Sequence, residues 1–313
     1  MPTMLDARNL AMAGRNEEAV QLIRQLAGSG NRDAVFMLAE MTWRGGLVQQ
    51  DSKAARRLYE AAKGHPKAEI NATNLLASGI AGPRDWPAAC RRLEAEAAHD
   101  STRRRALDVL RAMDLDDAGD PRSVPEAKQI DAHPIVKIYP KLFSADECRY
   151  LIDLAVPGYQ PSMVFNDSEQ LVQDPIRTSD GSTIHWLLED PVVHAINRRV
   201  AAATGTDYEA GETLQSLRYQ PGQEYRPHFD FVPGDNPRLW TALIYLNDDY
   251  EGGETEFVET GLKVRGTTGD LLAFYNAGPD GDLEPRSKHA GLPVRSGVKY
   301  LATRWIREKR WIP

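Results

Sequence analysis

The pattern of hydrophobic and polar positions changes part-way along the chain. From residue 213 onward, short apolar runs rich in β-branched and aromatic residues are separated by Gly, Pro, Asn and Asp. Short runs bounded by such turns are typical of β sandwiches and barrels. Strands are predicted at residues 135–139, 213–219, 225–231, 241–246, 254–258, 271–275 and 299–306. The pattern therefore predicts a double-stranded β-helix, or jelly roll, with a functional site inside the barrel.

Two helices are predicted to support these strands. Ser144 and Glu147 have the spacing of a capping box, which opens the first helix. Asp190 followed by Pro191 is a typical start for the second helix. Residues 159–176, between the two helices, are polar and irregular. We predict that they form a mobile loop over the mouth of the site.

The first 113 residues have a helical pattern with a weak repeat of about 34 residues. Ala- and Leu-rich segments are joined by Gly-bearing turns, as in arrays of helical hairpins. Pairs displaced by 34 positions are Gly30 and Gly64, Ala34 and Ala68, Asp51 and Asp85, and Ala54 and Ala88. The array resembles Sel1-like or tetratricopeptide repeats, which implies a surface for a protein partner. An ordinary helical bundle, a brace for the β half and a dimer contact are the alternatives.

Composition divides the chain into two predicted domains. Residues 114–132 are poor in apolar residues and rich in Asp, Gly, Pro and Ser, which is typical of a linker. A length of 313 residues also fits two domains better than one. We therefore expect an α-helical repeat domain at 1–113 and a β domain at 133–313.

Charge and cysteine content narrow the classes of partner and compartment. Residues 1–113 hold 17 Lys and Arg against 13 Asp and Glu, whereas the remainder holds 21 against 32. An acidic β half argues against nucleic acid as the main partner. The two cysteines, Cys90 and Cys148, fall in different predicted domains, so we expect a reducing compartment without a disulfide framework. With neither a basic leader nor an apolar run of ~18–20 residues, we expect a cytoplasmic protein without a membrane partner.

Three residues of the β half are candidates for binding a metal ion. Side chains alternate between the faces of a strand, so His228 and Asp230 project together while Phe229 points away. His289, 59 residues after Asp230, supplies a second imidazole. Two imidazoles and one carboxylate form the facial set of a non-haem Fe(II) site that keeps open positions. A zinc hydrolase site is the alternative.

A later strand favours the interpretation as an iron site. Odd positions of the run 297–305 share one face, so Lys299, Thr303 and Trp305 project together. A cation and a hydroxyl near the metal suit the distal carboxylate of a dicarboxylic co-substrate. A solvated lysine at a strand edge is the alternative for Lys299.

In combination, these residues resemble the catalytic domain of the prolyl 4-hydroxylases, which are Fe(II)- and 2-oxoglutarate-dependent dioxygenases. The resemblance spans roughly residues 134–313. In chain order, the residues that carry it are Tyr219, His228-Phe229-Asp230, Gly252-Gly253-Glu254-Thr255-Glu256-Phe257, Gly269-Asp270-Leu271-Leu272-Ala273-Phe274, His289, Lys299 and Trp305.

The resemblance implies roles for individual residues. His228, Asp230 and His289 are expected to bind Fe(II), and the catalytic Lys299 is expected to hold 2-oxoglutarate with help from Tyr219 and Thr303. Further residues fall where the family contacts peptide: Arg177, Ser179, Glu212, Tyr225, Arg238 and Trp305. For Glu212 and Arg238, the alternative to a peptide-binding role is participation in a surface ion pair. The resemblance leads us to expect His at the position where this chain has Arg307.

The implied reaction is 4-hydroxylation of a peptidyl proline by dioxygen, with release of succinate and CO2. Ascorbate is a further expected cofactor. The expected partners are a proline-containing protein or peptide and a protein bound to the helical repeats. A dioxygenase acting on another side chain or on a free amino acid is one alternative, and an inactive interaction scaffold is another. The complete ligand set and Lys299 argue against the scaffold.

Overall fold

The structure, a computed structural model, describes residues 2–165 and 171–312. The chain divides into two compact units. The helical unit comprises Met1–Leu107 and Trp186–Pro191, and the β unit comprises Asp108–His185 and Val192–Ile312. No helix in the described ranges is long and apolar enough to cross a bilayer.

Seven helices precede the first strand in the described chain. They are α1 (Met4–Met12), α2 (Asn16–Gly28), α3 (Arg32–Arg44), α4 (Ser52–Ala61), α5 (Pro66–Ser78), α6 (Trp86–Ala97) and α7 (Ser101–Arg111). Helices α3 and α5 begin 34 residues apart, as do α4 and α6. Asp51 and Asp85 cap α4 and α6 in the same way, because each carboxylate accepts a hydrogen bond from the backbone N–H three residues later, at 2.8 and 3.0 Å. Assignment to the Sel1-like or tetratricopeptide class stays a prediction.

Small residues let the helices of this unit pack closely. Ala34, Ala55 and Ala68 are fully buried, so helix surfaces can approach without large side chains between them. Asn74 on α5 donates a hydrogen bond from Nδ2 to the Leu187 carbonyl at 2.8 Å, which links Trp186–Pro191 to the helices. Residues 186–191 therefore belong to the helical unit despite their later position in the sequence.

The β unit combines antiparallel strands with two helices. Its described strands are β1 (Lys128–Ala132), β2 (Ile135–Tyr139), β3 (Gln160–Pro161), β4 (Met163–Phe165), β5 (Leu171–Gln173), β6 (Asp180–Ile184), β7 (Leu214–Tyr219), β8 (Tyr225–His228), β9 (Arg238–Tyr245), β10 (Glu251–Gly252), β11 (Thr255–Phe257), β12 (Leu262–Val264), β13 (Leu271–Tyr275), β14 (His289–Gly291), β15 (Val294–Ser296) and β16 (Lys299–Arg307). Helices α8 (Ala145–Ala155) and α9 (Pro191–Thr204) follow the predicted start signals, and Ser144 with Glu147 forms the capping box.

Two sheets of the β unit enclose a common core. The larger has the strand order β1-β2-β13-β9-β16-β7-β6-β3, and the smaller has the order β12-β11-β14-β8. Phe257 of the smaller sheet packs edge-on against Phe274 of the larger, with centroids 5.1 Å apart. Tyr219, Tyr245 and Leu301 from the larger sheet belong to the same buried cluster. The mixed fold with antiparallel sheets is as predicted, and its two facing sheets are consistent with a jelly roll.

Two predicted irregular segments contain strands. Within the predicted linker 114–132, β1 pairs with β2 as an edge strand. Its side chains are almost all exposed, so it has none of the alternation that marks a half-buried strand. Within the predicted loop 159–176, β4 pairs with β5. Residues 166–170 of that loop lie outside the described residues.

Candidate active site

His228 and His289 lie directly opposite each other on neighbouring strands. They are cross-strand partners of β8 and β14, and their ring centroids are 4.3 Å apart. Each ring uses Nδ1 to contact a backbone carbonyl, that of Arg226 at 2.8 Å and that of Ser287 at 2.9 Å. An Nδ1–H bond to a carbonyl fixes the tautomer and leaves the lone pair of Nε2 free. Both imidazoles are therefore arranged to bind a metal through Nε2.

Asp230 completes the group from beyond the end of β8. The predicted strand to residue 231 was too long, because β14 begins at His289 and β8 has no pairing partner after His228. Asp230 instead accepts a hydrogen bond at Oδ2 from Thr241 Oγ1 on β9, at 2.7 Å. Its carboxylate oxygens lie 3.7 Å from His228 Nε2 and 3.5 Å from His289 Nε2. The three predicted ligands thus converge although they do not share one strand.

The protonation states of His228 and Asp230 suit metal binding. Burial, reinforced by the charge of His289, lowers the pKa of His228 to about 4. Burial alone would raise the pKa of Asp230, but His289, His228 and the Thr241 hydrogen bond outweigh it and lower the pKa. Neutral imidazole and ionised carboxylate are the forms that coordinate metals.

The ligand atoms of His228, Asp230 and His289 lie within 4.8 Å of one another. Across residues 2–165 and 171–312, this is the one group of three or more His, Cys, Asp or Glu side chains with that geometry. The donor set fits a facial Fe(II) site. Because zinc sites use similar donors, the rest of the cavity has to distinguish the two.

Lys299 on β16 lines the same cavity as the three ligands. It is 2% exposed, and its Nζ donates a hydrogen bond to the Gly253 carbonyl at 2.7 Å. No carboxylate in the described chain pairs with it. Burial lowers the pKa of Lys299 to about 8, although the charge of Glu254 opposes that shift. A buried cation without a counter-ion is unfavourable, so this cavity is suited to an anionic ligand and Lys299 is not a solvated edge residue.

The approach of Gly253 to Lys299 explains part of the Gly252-Gly253 motif. Gly253 has a φ of +66°, a conformation that favours glycine. A Cβ at this position would lie 3.1 Å from Lys299 Cδ. The glycine therefore lets its carbonyl reach the Lys299 ammonium.

The other predicted co-substrate residues surround Lys299. Tyr219 on β7 is its cross-strand partner, and the Tyr219 ring lies 5.3 Å from Nζ. Burial raises the pKa of Tyr219 to about 12, so the phenol remains a proton donor at neutral pH. Thr303 and Trp305 line the cavity from alternate positions of β16. Thr303 Oγ1 is buried and has no hydrogen-bond partner in the part of the chain described, as expected for a hydroxyl that contacts a ligand.

Two of the predicted peptide-binding residues form a stack on one metal ligand. The Tyr225 ring lies on the His228 ring with centroids 3.4 Å apart, and the Arg177 guanidinium lies 5.4 Å from the Tyr225 ring. Both line the cavity, and Arg177 Nε has no hydrogen-bond partner among the described residues. Ser179 is fully buried and does not line the cavity.

Glu212 and Arg238 belong to an ion network beside Trp305. Glu212 accepts hydrogen bonds from Arg238 Nε at 2.6 Å and from Arg307 Nε at 2.7 Å. The Arg238 guanidinium lies 4.1 Å from the Trp305 ring. Neither Glu212 nor Arg238 lines the cavity. Arg238 instead packs against the Trp305 indole, and Glu212 binds both Arg238 and Arg307.

Two residues of the site escaped the sequence analysis. Thr241 holds the Asp230 carboxylate, and Asn276 donates from Nδ2 to Thr241 Oγ1 at 3.0 Å. Asn276 directly follows β13, and Thr241 is the cross-strand partner of Trp305 on β16. Knowledge that β9 pairs with β16 would therefore have identified Thr241, because this pairing places it opposite Trp305.

Comparison with known proteins identifies the family. Residues 214–307 match the model of the 2OG-Fe(II) oxygenase superfamily. The chain is 36% identical over 197 residues to "Prolyl 4-hydroxylase 1" of Arabidopsis thaliana, covering 56% of this chain and 70% of that protein. This chain belongs to the prolyl 4-hydroxylase family. Another family member, "Probable prolyl 4-hydroxylase 10" of the same plant, is 33% identical over 204 residues, covering 57% and 70% of the two chains.

Solved structures of prolyl hydroxylases are also similar to this chain. The viral collagen prolyl hydroxylase from Paramecium Bursaria Chlorella virus-1 has a TM-score of 0.44 and 28% identity, covering 55% of this chain and 95% of that one. A Pseudomonas putida prolyl-4-hydroxylase has a TM-score of 0.41 and 21% identity, covering 57% and 95%.

Membership of the prolyl 4-hydroxylase family confirms the predicted enzyme class. The chain is a 2-oxoglutarate-dependent dioxygenase that uses Fe(II), 2-oxoglutarate and dioxygen. The metal group fits Fe(II) because it offers nitrogen and carboxylate donors. The buried Lys299 fits 2-oxoglutarate because it offers a cation that pairs with no carboxylate in the described ranges.

Proposed function

We propose that this protein hydroxylates a proline residue at C4 in a protein or peptide substrate, with 2-oxoglutarate converted to succinate and CO2. The observation that carries the co-substrate part of the proposal is the buried Lys299, which has no carboxylate partner among the described residues and shares a cavity with the His-Asp-His group. The similarity to prolyl 4-hydroxylases supports proline as the acceptor. A hydrolytic zinc site has no need of a buried cation prepared for a second carboxylate. An oxygenase that consumes a dicarboxylic acid needs such a cation to bind the carboxylate that is distant from the metal.

The side chains divide the work between metal binding and orientation. His228, Asp230 and His289 would hold Fe(II), which when bound supplies, with 2-oxoglutarate and dioxygen, the oxidising chemistry for a C–H bond. Thr241 keeps the Asp230 carboxylate in place. The Lys299 ammonium binds the distal carboxylate of 2-oxoglutarate and so fixes the orientation of the co-substrate.

The stack beside the metal ligands suits the target segment. Tyr225 presents an aromatic face, Arg177 presents a guanidinium whose Nε has no partner in the part of the chain described, and both line the cavity. Trp305 adds a second large ring, which Arg238 and Glu212 hold. Aromatic faces pack well against a pyrrolidine ring, and a guanidinium can donate to peptide carbonyls. These properties favour a peptide over a free amino acid.

We further propose that α3–α6 are repeat units that bind a partner protein. We also propose that the enzyme itself is cytoplasmic and uses ascorbate. The displacement of 34 residues between α3 and α5, and between α4 and α6, supports the repeat. The unpaired cysteines Cys90 and Cys148 support a reducing compartment. Ascorbate follows from the family resemblance alone.

Turnover with a defined peptide tests the catalytic proposal. The full-length protein, supplied with Fe(II), 2-oxoglutarate, ascorbate and a proline-rich peptide, is expected to release succinate and to add one oxygen atom to the peptide. The same peptide with alanine for each proline is the matched control and should gain no oxygen. Oxidation of another residue in both peptides would favour a different acceptor, and no succinate under any condition would favour a scaffold.

Binding of 2-oxoglutarate is expected to weaken as the pH rises above about 8. Burial lowers the pKa of Lys299 to about 8, opposed by Glu254, and a bound carboxylate favours the protonated amine. Binding above this pKa therefore requires uptake of a proton, and the dissociation constant should rise up to about tenfold for each pH unit. Calorimetry in buffers of different ionisation enthalpy measures both quantities.

The matched control for this pH dependence is Lys299→Arg. A guanidinium stays charged throughout this range. Whatever its absolute affinity, the variant should bind 2-oxoglutarate with a flat pH profile between pH 7 and 10. A flat profile in the wild type would show that Lys299 does not titrate in contact with the ligand.

A further inference from the structure

A cavity in the helical unit has no part in the proposed chemistry. It has a volume of about 680 Å³ and lies among α4, α5, α6 and the start of α7. Its apolar lining includes Tyr59, Pro66, Ile70, Ala72 and Ala95. Cavities of roughly 300–1,000 Å³ with mostly apolar walls are typical binding sites for ligands. This cavity therefore has room for a few side chains of a peptide.

The carboxylates that line this cavity already bind donors of the helical unit itself. Their partners are Thr73 Oγ1 and Arg103 Nε for Glu96 (2.5 and 2.6 Å), the Gly64 amide for Glu69 (2.8 Å), the Thr102 amide for Asp100 (2.7 Å) and Arg56 Nε for Glu60 (3.6 Å). Each acidic group thus caps a helix, satisfies a turn or balances an arginine. Glu60 and Glu96 are thereby balanced by arginines, whereas Glu69 and Asp100 are held by backbone amides.

Two cations of the same lining, Lys63 and Arg92, have not been neutralised in this way. Lys63 and Arg92 are exposed and, within the described residues, make no hydrogen bond or ion pair. Arg103 is 4% exposed and pairs with Glu96 at 2.6 Å and with Asp190 at 3.8 Å, although its Nη2 has no hydrogen-bond partner among those residues. The free donors of the cavity therefore carry positive charge and suit an anionic ligand.

The charge distribution along the helical unit leads to the same conclusion. Residues 1–50 hold 5 Lys and Arg against 5 Asp and Glu, whereas residues 51–107 hold 11 against 7. All of the positive excess of these helices therefore lies in the segments that form the cavity. The lining itself holds four carboxylates against three Lys and Arg, so the positive excess lies on the surrounding surface of these segments, where it raises the local concentration of anionic partners.

We propose that this cavity binds an acidic segment of a partner protein. Carboxylates on either side of an apolar side chain would pair with Lys63 and Arg92, while the apolar side chain packs against Ile70 and Pro66. A nucleic acid fits less well, because the walls are mainly apolar and the unpaired cations are few. This inference does not depend on the proposed hydroxylation, since it concerns only the helical unit.

Fluorescence anisotropy with the full-length protein tests the proposal. The probe is a labelled peptide in which a central leucine is flanked by glutamates, at physiological ionic strength. Saturable binding is expected, and Lys63→Glu combined with Arg92→Glu should raise the Kd by about tenfold or more, because two attractions become repulsions. Binding should also weaken with added salt.

The matched control is Lys67→Glu combined with Arg91→Glu. These exposed neighbours carry the same charges but do not line the cavity, so their reversal should change the Kd by less than about twofold. A second probe with serine in place of leucine should bind more weakly, because the apolar wall loses its contact. Equal weakening by both double variants, equal binding of the two probes, or tighter binding of single-stranded DNA would each overturn the proposal. Melting temperatures verify that the variants are folded.

Discussion

Replacement of Asp230 by alanine is expected to abolish succinate release and to weaken iron binding steeply. Asp230 supplies the one carboxylate among three candidate ligands and lies within 3.7 Å of both Nε2 atoms. Its charge also lowers the cost of placing a cation near the two imidazoles. Loss of a hydrogen bond that orients a metal ligand costs about 10–100-fold in affinity. Loss of the ligand itself should therefore cost more than ~100-fold.

A graded series of variants distinguishes loss of a ligand from general damage. His289→Ala should resemble Asp230→Ala, and Thr241→Val should fall within the intermediate ~10–100-fold range because it removes only the hydrogen bond to the carboxylate. Asp235→Ala is the matched control, since this exposed aspartate lies outside the metal group. Iron content after gel filtration, together with the melting temperature, measures the effect. Normal iron content in Asp230→Ala would show that the three side chains do not form the metal site.

The features predicted correctly from the sequence depend on short-range patterns. The bounds of β2 and β13 follow from short apolar runs between turn residues, and both strands form where they were predicted. The common face of Lys299, Thr303 and Trp305 follows from the alternation of side chains along one strand. Periodicity of this kind needs no knowledge of strand pairing.

The features that sequence reasoning missed depend on pairing between distant segments. Thr241 reaches Asp230 because β9 lies between β13 and β16, an order that no local pattern contains. β8 stops at His228 because β14 starts opposite it, so the end of the strand is fixed 61 positions further along the chain. The exposed strand β1 has no alternation to reveal it. Each omission is therefore a non-local contact or an edge position, which local hydrophobicity does not encode.

Replacement of Lys299 by alanine is expected to raise the KM for 2-oxoglutarate by roughly 30-fold to several thousand-fold while iron binding survives. Lys299 is 2% exposed, and its only hydrogen bond among the described residues is to the Gly253 carbonyl, so its charge is available for the co-substrate. Truncating one partner of a buried charge pair costs about 2–5 kcal/mol, and each ~1.4 kcal/mol is a factor of ten. Tyr219 and Thr303 remain as neutral donors to the carboxylate, which favours the lower part of this range.

The same substitution separates a ligand-binding lysine from a structural one through its effect on stability. Burial holds the pKa of Lys299 near 8, below the ordinary value of 10.5, so the charged amine destabilises the ligand-free fold at neutral pH by about 3 kcal/mol. That penalty is fully present below pH 8 and disappears as the pH rises from 8 towards 10.5. Lys299→Met, which keeps the length of the side chain without its charge, should therefore leave the melting temperature of the ligand-free protein unchanged or higher.

The decisive measurement combines three readouts on Lys299→Ala, Lys299→Met and the wild type. These are the 2-oxoglutarate KM from succinate release, the iron content and the melting temperature with and without 2-oxoglutarate. A ligand that binds only the folded state raises the melting temperature, and this increase should disappear in both variants while iron content is retained. An unchanged KM would mean that the co-substrate is held by other residues. A lowered melting temperature in Lys299→Met would instead assign the lysine a structural role through its hydrogen bond to Gly253.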